Sequence, residues 1–255
     1  MESEIEQTIW FFENMPRIDF ETKVNWQQKR QILKVSFPVD INTDSATYEI
    51  QFGTTKRPTH YNTSWEHAKY EVCAHKYADI SEGNYGVSML NDCKYGHDIH
   101  DSDMRLTLVK SAWNPGNMGD FNDMGVHQFT YSIYPHAGDV SACDVVKHAY
   151  DLNLPMTAKK AAGKGNLPSE YSLVSISTDN VVIETVKEAE YSEETVIRMY
   201  ETKNTRGKAT IKLGFDISEA YVANLSEKKQ KALTVKNNSV VIDYKPFEII
   251  TLIVK

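Results

Sequence analysis

Between Met89 and Lys110 the chain reads MLNDCKYGHDIHDSDMRLTLVK. Two His, four Asp, a Cys, a Lys and a Tyr crowd ahead of the strand-like run MRLTLV, which is the density of a metal or catalytic site. Zinc needs three or four His, Cys, Asp or Glu side chains that converge, and His97, Asp98, His100, Asp101 and Asp103 are the candidates. On a strand, however, His97 and His100 point to opposite faces, and a helix would need a His pair four apart. The spacing therefore argues against a metal. Asn, Asp, Gly and Ser also build turns, so the plain expectation is a hydrated loop between two strands.

Other chemistry-bearing stretches fall short of their motifs. In SAWNPGNMGDFNDMG, Asp120, Asn122 and Gly125 match part of a calcium loop, but Met124 stands where an oxygen ligand is needed and no closing Glu follows. Gly163 to Gly165 lacks the remainder of a phosphate loop, and the chain has no Gly-x-Ser-x-Gly elbow. A retaining glycosidase needs two carboxylates ~5 Å apart, and Asp and Glu are too plentiful here for sequence to select a pair. The aromatic residues could stack on sugar faces, although most lie in alternating strands and read as core.

Those stretches must be positioned by strands. Apolar residues alternate with period two along most of the chain. In RIDFETKVNW, Ile18, Phe20, Val24 and Trp26 share one face, with Arg17, Asp19, Glu21 and Lys23 on the other. LKVSFPVDI repeats the pattern, and Pro38 marks that strand as an edge or bulged one. TYEIQF, YGVSML, MRLTLV and HQFTYSIY follow, with Phe129, Tyr131 and Ile133 on one face. Helix is scarce, the best candidate being the first dozen residues, where Ile5, Ile9 and Phe12 have helical spacing. Past Tyr150 the polar stretch DLNLPMTAKKAAGKGNLPSE marks a boundary, and shorter strands NVVIETVK, ETVIRMYE, KATIKLGF and SVVIDYKPFEIITLIVK resume after it.

Bulk properties agree with a soluble protein that handles neither nucleic acid nor membrane. The chain has 255 residues, a net charge of -7 with scattered Lys and Arg, and no apolar run long enough for a membrane helix. The acidic start lacks a secretion signal, so a cytoplasmic location is expected. Cys73, Cys93 and Cys143 are too far apart for a zinc module and are expected to be reduced. The sequons at Asn62, Asn224 and Asn237 are then chance matches.

RPTHYNTSWEHAKYEVCAHKYADISEGNYGVSMLNDCKYGHDIHDSDMRLTLVKSA resembles the C-terminal part of class II α-mannosidases, glycoside hydrolase family 38, of the cytosolic, vacuolar and bacterial type. PRIDFETKVNWQQKRQILKVSFPVDI, GVHQFTYSIYPHAG, LVSISTDNVVIETVKEAE and KPFEIITLIVK extend the likeness from Pro16 to Lys255. The resemblance implies a mainly β protein, with a large, supersandwich-like antiparallel β-sandwich over residues 1–165 and a smaller β-sandwich over 166–255. It implies a parent enzyme that is zinc-dependent and retaining and cleaves α-mannosides. That enzyme's two His and two Asp ligands, its nucleophile and its acid/base lie in an N-terminal barrel.

None of the eight His here is followed two residues later by Asp, the spacing of the family's first ligand pair. No zinc ligand, cofactor or nucleophile is therefore expected in this chain. A starting Met followed at once by family-like sequence is expected of a shortened chain. The expected partners are the N-terminal catalytic barrel of the same protein and, through it, the α-mannoside. Asn91, Asp92, Lys94, Tyr95 and Asp98 are the candidates for contact with sugar, against a contact between domains or a plain turn. Alternatives are an autonomous mannose- or mannan-binding module and a module for homo-oligomer formation.

Overall fold

The computed structural model describes residues 2–112, 123–160, 163, 165–166 and 168–255. Asp120, Asn122 and Lys164, from the calcium-like and phosphate-like stretches, lie outside them. The chain divides into two compact units, Met1–Thr157 and Ala158–Lys255, eight residues before the boundary expected at 165.

Unit 1 holds strands β1 (Glu4–Phe12), β2 (Met15–Trp26), β3 (Ile32–Pro38), β4 (Ser45–Ile50) and β5 (Gly53–Pro58), then helix α1 (Ser64–His67). After it come β6 (Val72–Cys73), β7 (Tyr77–Ser81), β8 (Tyr85–Asn91), β9 (Gly96–His100), β10 (Asp103–Lys110), β11 (Gly125–Ala137) and helix α2 (Val145–Asn153). Seven strands order as β1-β2-β11-β8-β7-β4-β5 and four as β3-β10-β9-β6, with antiparallel pairing. The sandwich core joins Val24, Trp26, Tyr48, Ile80 and Met89 of the first sheet to Ile99, Leu106 and Leu108 of the second. Pro38 ends β3 at a sheet edge, where a missing N–H costs no ladder bond.

The N-terminal helix expectation is corrected. Residues 4–12 form β1, paired with β2 from Glu4↔Asn25 to Phe12↔Met15. Residues four apart share a face in a strand as well as in a helix, so Ile5 and Ile9 fit both, and the β-favouring run Thr-Ile-Trp-Phe-Phe tips the balance once β2 offers a ladder. The loop expectation is corrected at Gly96–His100, which forms β9 between β6 and β10.

The two faces of β2 follow the expected alternation, with an addition at one end. Phe20, Val24 and Trp26 pack on or into the sandwich core. On the opposite face Arg17 and Asp19 are also buried. There α2 lies over the sheet, and Val145 and Ala149 pack with Tyr77, Leu90 and Tyr134. Further along, Glu21 and Lys23 are exposed.

Unit 2 is the smaller sandwich. Its strands are β12 (Val174–Ile176), β13 (Val181–Glu188), β14 (Thr195–Glu201), β15 (Gly207–Leu213), β16 (Ala220–Ala223), β17 (Lys229–Leu233), β18 (Ser239–Tyr244) and β19 (Ile249–Val254). They form sheets β12-β15-β18 and β13-β14-β19-β16-β17 around Ile197, Met199, Ile211, Leu213, Ile242 and Leu252. Asn237 and Asn238, both at positive φ, close a two-residue turn between Lys236 and Ser239, a conformation that Asn tolerates.

Candidate functional site

β8 ends at Asn91, directly opposite Tyr131 of β11. Asn91 is fully buried and consumed by structure. Its Nδ2 donates to His75 O at 2.8 Å, its Oδ1 accepts from Lys94 N at 2.7 Å, and its carbonyl accepts from Asn153 Nδ2 of α2 at 2.9 Å. Such side-chain-to-backbone bonds fix a tight turn, here residues 91–94.

That turn presents Asp92 to β11. Asp92 N donates to Thr130 O at 3.1 Å, and Asp92 Oδ2 accepts from Thr130 N at 2.9 Å. Asp92 Oδ1 is buried with no hydrogen-bond partner. The adjacent Cys93 thiol is pushed up to about 11, first by burial and then by Asp92. Lys94 Nζ sits 4.5 Å from the centre of the Phe129 ring, a cation–π contact, and Tyr95 is half exposed with His75 edge-on at 5.5 Å.

Asp92 stands at the wall of an open groove of about 450 Å³ on the uncovered face of β1, β2 and β11, lined by Glu6, Thr8, Glu21, Lys23, Gln128 and Thr130. Half-exposed Trp10 donates from Nε1 to Glu21 Oε2 at 3.1 Å on the same sheet. Carboxylates, an amide, a hydroxyl, a lysine and an indole on one face can accept and donate to hydroxyl groups and cover an apolar ring.

Asp98 belongs elsewhere. It lies in β9 on the other sheet, where its carboxylate meets Lys34 Nζ at 3.4 Å, Arg105 Nη1 at 3.3 Å and the Tyr61 hydroxyl at 3.3 Å. Lys34 continues to Glu71, and Arg105 to Asp103, so this sheet face carries an ion-pair ladder. Of the five candidates the structure brings Asn91, Asp92, Lys94 and Tyr95 into one corner and leaves Asp98 in the ladder.

His97 and His100 face opposite ways along β9. His97 is fully buried and His100 is stacked on Tyr61 at 4.0 Å. Among the described residues no group of three His, Cys, Asp or Glu side chains is placed to hold a metal ion, and the donors of β9 do not fit zinc.

A buried polar cluster that sequence reasoning missed lies across β7, β8 and β11. Asp79 accepts from Ser88 Oγ at 2.6 Å, from Ser81 Oγ, and from His136 Nε2 at 2.7 Å. Burial opposes the charge on His136, yet Asp79, aided by Cys143, outweighs it and holds the ring up at about 10. Arg17, Asp19 and Ser132 form a second cluster under α2, with Arg17 Nε 2.7 Å from Asp19 Oδ1 and Ser132 Oγ donating to the same oxygen at 2.7 Å. The signal for the first was the lone Asp79 in the apolar strand YADIS, while Arg17 and Asp19 sat in the charged face of an alternating strand and gave none; Ser88, His136 and Ser132 stand on other strands.

Two antiparallel sandwiches in tandem, the first with a polar groove beside Asp92, define a mainly β module, a fold that does not by itself name an activity. Residues 1–117 match the family model described as "Glycosyl hydrolases family 38 C-terminal domain", and residues 180–252 match "Glycosyl hydrolases family 38 C-terminal beta sandwich domain". The chain is 37% identical over 256 residues to Alpha-mannosidase 2C1 of Homo sapiens, covering 98% of this chain and 24% of that protein. It is 40% identical over 264 residues to the Alpha-mannosidase of Saccharomyces cerevisiae, covering 92% and 23%. A crystal structure of an alpha-mannosidase from Enterococcus faecalis shares the fold, with a TM-score of 0.82 at 20% identity over 98% of this chain and 29% of that one. The chain belongs to glycoside hydrolase family 38, as its C-terminal region. It spans about a quarter of the length of the curated relatives it matches.

Proposed function

We propose that this chain is the non-catalytic C-terminal β region of a zinc-dependent, retaining α-mannosidase that removes terminal α-mannosides during glycan breakdown. The zinc ligands and nucleophile belong to a barrel in the N-terminal part of the same protein, and this region packs on that barrel and completes the wall of its pocket. The observation that carries the proposal is the match along both units to α-mannosidases about four times as long. The corner at Asn91 to Tyr95 supports the wall-forming role, because a turn held by three side-chain bonds presents Asp92 beside a polar groove at low ordering cost. Three free thiols fit a reducing cytoplasm.

The test compares the full-length enzyme with its Asp92→Asn variant on an aryl α-mannoside. A fall in kcat/KM of about tenfold or more with zinc content unchanged is expected, the size of one lost charge-assisted hydrogen bond. Unchanged kinetics would remove the corner from the pocket. Saturable binding of mannose by the 255-residue chain itself would favour an autonomous sugar-binding module instead.

A further inference from the structure

A small cleft in unit 1, outside the groove, is bounded by Tyr48, Arg57, Tyr61, Lys69, His97 and Asp98 and encloses about 30 Å³. It lies where β5, at the edge of the seven-stranded sheet, passes β9 of the four-stranded sheet. Both ring nitrogens of His97 and Nη1 of Arg57 are buried there without a hydrogen-bond partner. The Arg57 guanidinium lies 4.6 Å over the Tyr48 ring, and the His97 ring stands edge-on to Tyr48 at 6.4 Å.

Charge selects the occupant's sign. Among the described residues no carboxylate pairs with Arg57. Asp98 is already held by Lys34, Arg105 and the Tyr61 hydroxyl, and Glu66 by Thr63 in the capping box of α1. His97 is neutral, its pKa pushed down to about 3 by burial and then by Arg57, so it offers one N–H and no charge. Lys69 lies within the field of the Glu66 carboxylate, so Arg57 is the cation of the cleft without a carboxylate partner among the described residues, and burying its Nη1 without an acceptor is costly.

Volume selects the size. One water needs roughly 10–15 Å³ of such space, so a monatomic anion fits, whereas a tetrahedral oxyanion or a sugar ring does not. We propose that this cleft is a halide site, filled by chloride in ordinary solution, in which the ion accepts from Arg57 Nη1 and the His97 N–H and ties β5 to β9.

Thermal unfolding of the chain in sodium chloride, compared with sodium gluconate at equal ionic strength, tests the proposal. At a halide concentration roughly ten times its dissociation constant the folded-to-unfolded ratio rises about 11-fold. Tm then rises by on the order of 3 °C or more in chloride. Arg57→Gln should abolish the difference between the two salts. Equal Tm values of the unsubstituted protein in both salts would overturn the site. If Arg57→Gln does not fold, crystals of the unsubstituted protein grown in sodium bromide decide the matter. An anomalous peak between Arg57 and His97 supports the site, and two ordinary waters there refute it.

Discussion

His97 of β9 and His136 of β11 are both buried in unit 1, and they differ in the side chains packed against them. His136 meets Asp79, whose other acceptor positions are filled by Ser81 and Ser88. His97 meets the ring of Tyr48 and the guanidinium of Arg57. One ring is charged well above neutral pH and the other stays neutral well below it, with pKa values of about 10 and about 3. The pair shows that a buried histidine's protonation is decided by the side chains packed against it, since burial alone pushes both rings toward the neutral form.

Removing Asp79 should break the contrast with the largest effect. In Asp79→Ala the imidazolium of His136 loses its partner in a buried setting, at a cost of about 3–5 kcal/mol in urea or guanidinium unfolding. His136→Leu should cost a similar amount, because it strands the carboxylate instead. His97→Leu, measured in gluconate, should stay within about 1 kcal/mol of the parent, since it exchanges unpartnered polar atoms for apolar ones of similar size. Equal losses for the two leucine variants would show that packing, not charge, distinguishes the histidines.

The pH dependence sharpens the same contrast with opposite slopes. His136 has a folded pKa raised above the usual 6.5, so its contribution is fully present below pH 6.5 and is lost as pH rises toward about 10. His97 has a folded pKa lowered below 6.5, so its contribution is present above pH 6.5 and is lost as pH falls toward about 3. Stability curves of the parent minus His136→Leu should fall on the alkaline side, and those of the parent minus His97→Leu on the acid side. A pair of curves with slopes of the same sign would contradict the assignment.

The smallest effect belongs to the ladder on the outer face of β9 and β10. Arg105 reaches Asp98 and Asp103 but is more than a third exposed, and Arg105→Ala should cost no more than about 1 kcal/mol, decreasing with added salt. The contrast with Asp79 separates charges that order the interior from charges that coat a sheet.

Much of the fold was legible in the chain. Period-two alternation located β2, β3, β10 and β11 and placed Phe129, Tyr131 and Ile133 on one face, which is the core face, and Pro38 marked its strand as an edge or bulged one, which is an edge. The same alternation stated that His97 and His100 diverge. Blocks of ordered residues carried the family, because several long matches in sequence order constrain the answer far more than composition does. Less was legible at the chemistry. Asn91 was a candidate for sugar contact against a plain turn, and its side chain is buried and braces a turn; Asp98, grouped with it, lies on the opposite sheet.

The sequence by itself determined a mainly β architecture, the family and the sidedness of strands such as β2 and β11, since these follow from local periodicity and residue order. Only the tertiary structure decided whether residues 4–12 form helix or strand, because Ile5 and Ile9 satisfy both periods until β2 supplies the hydrogen bonds. It also decided that α2 covers Arg17 and Asp19 while Glu21 and Lys23 stay open, and which buried histidine carries a proton. Those outcomes depend on residues that are distant in sequence and adjacent across strands, and pairing register is a property of the whole sheet.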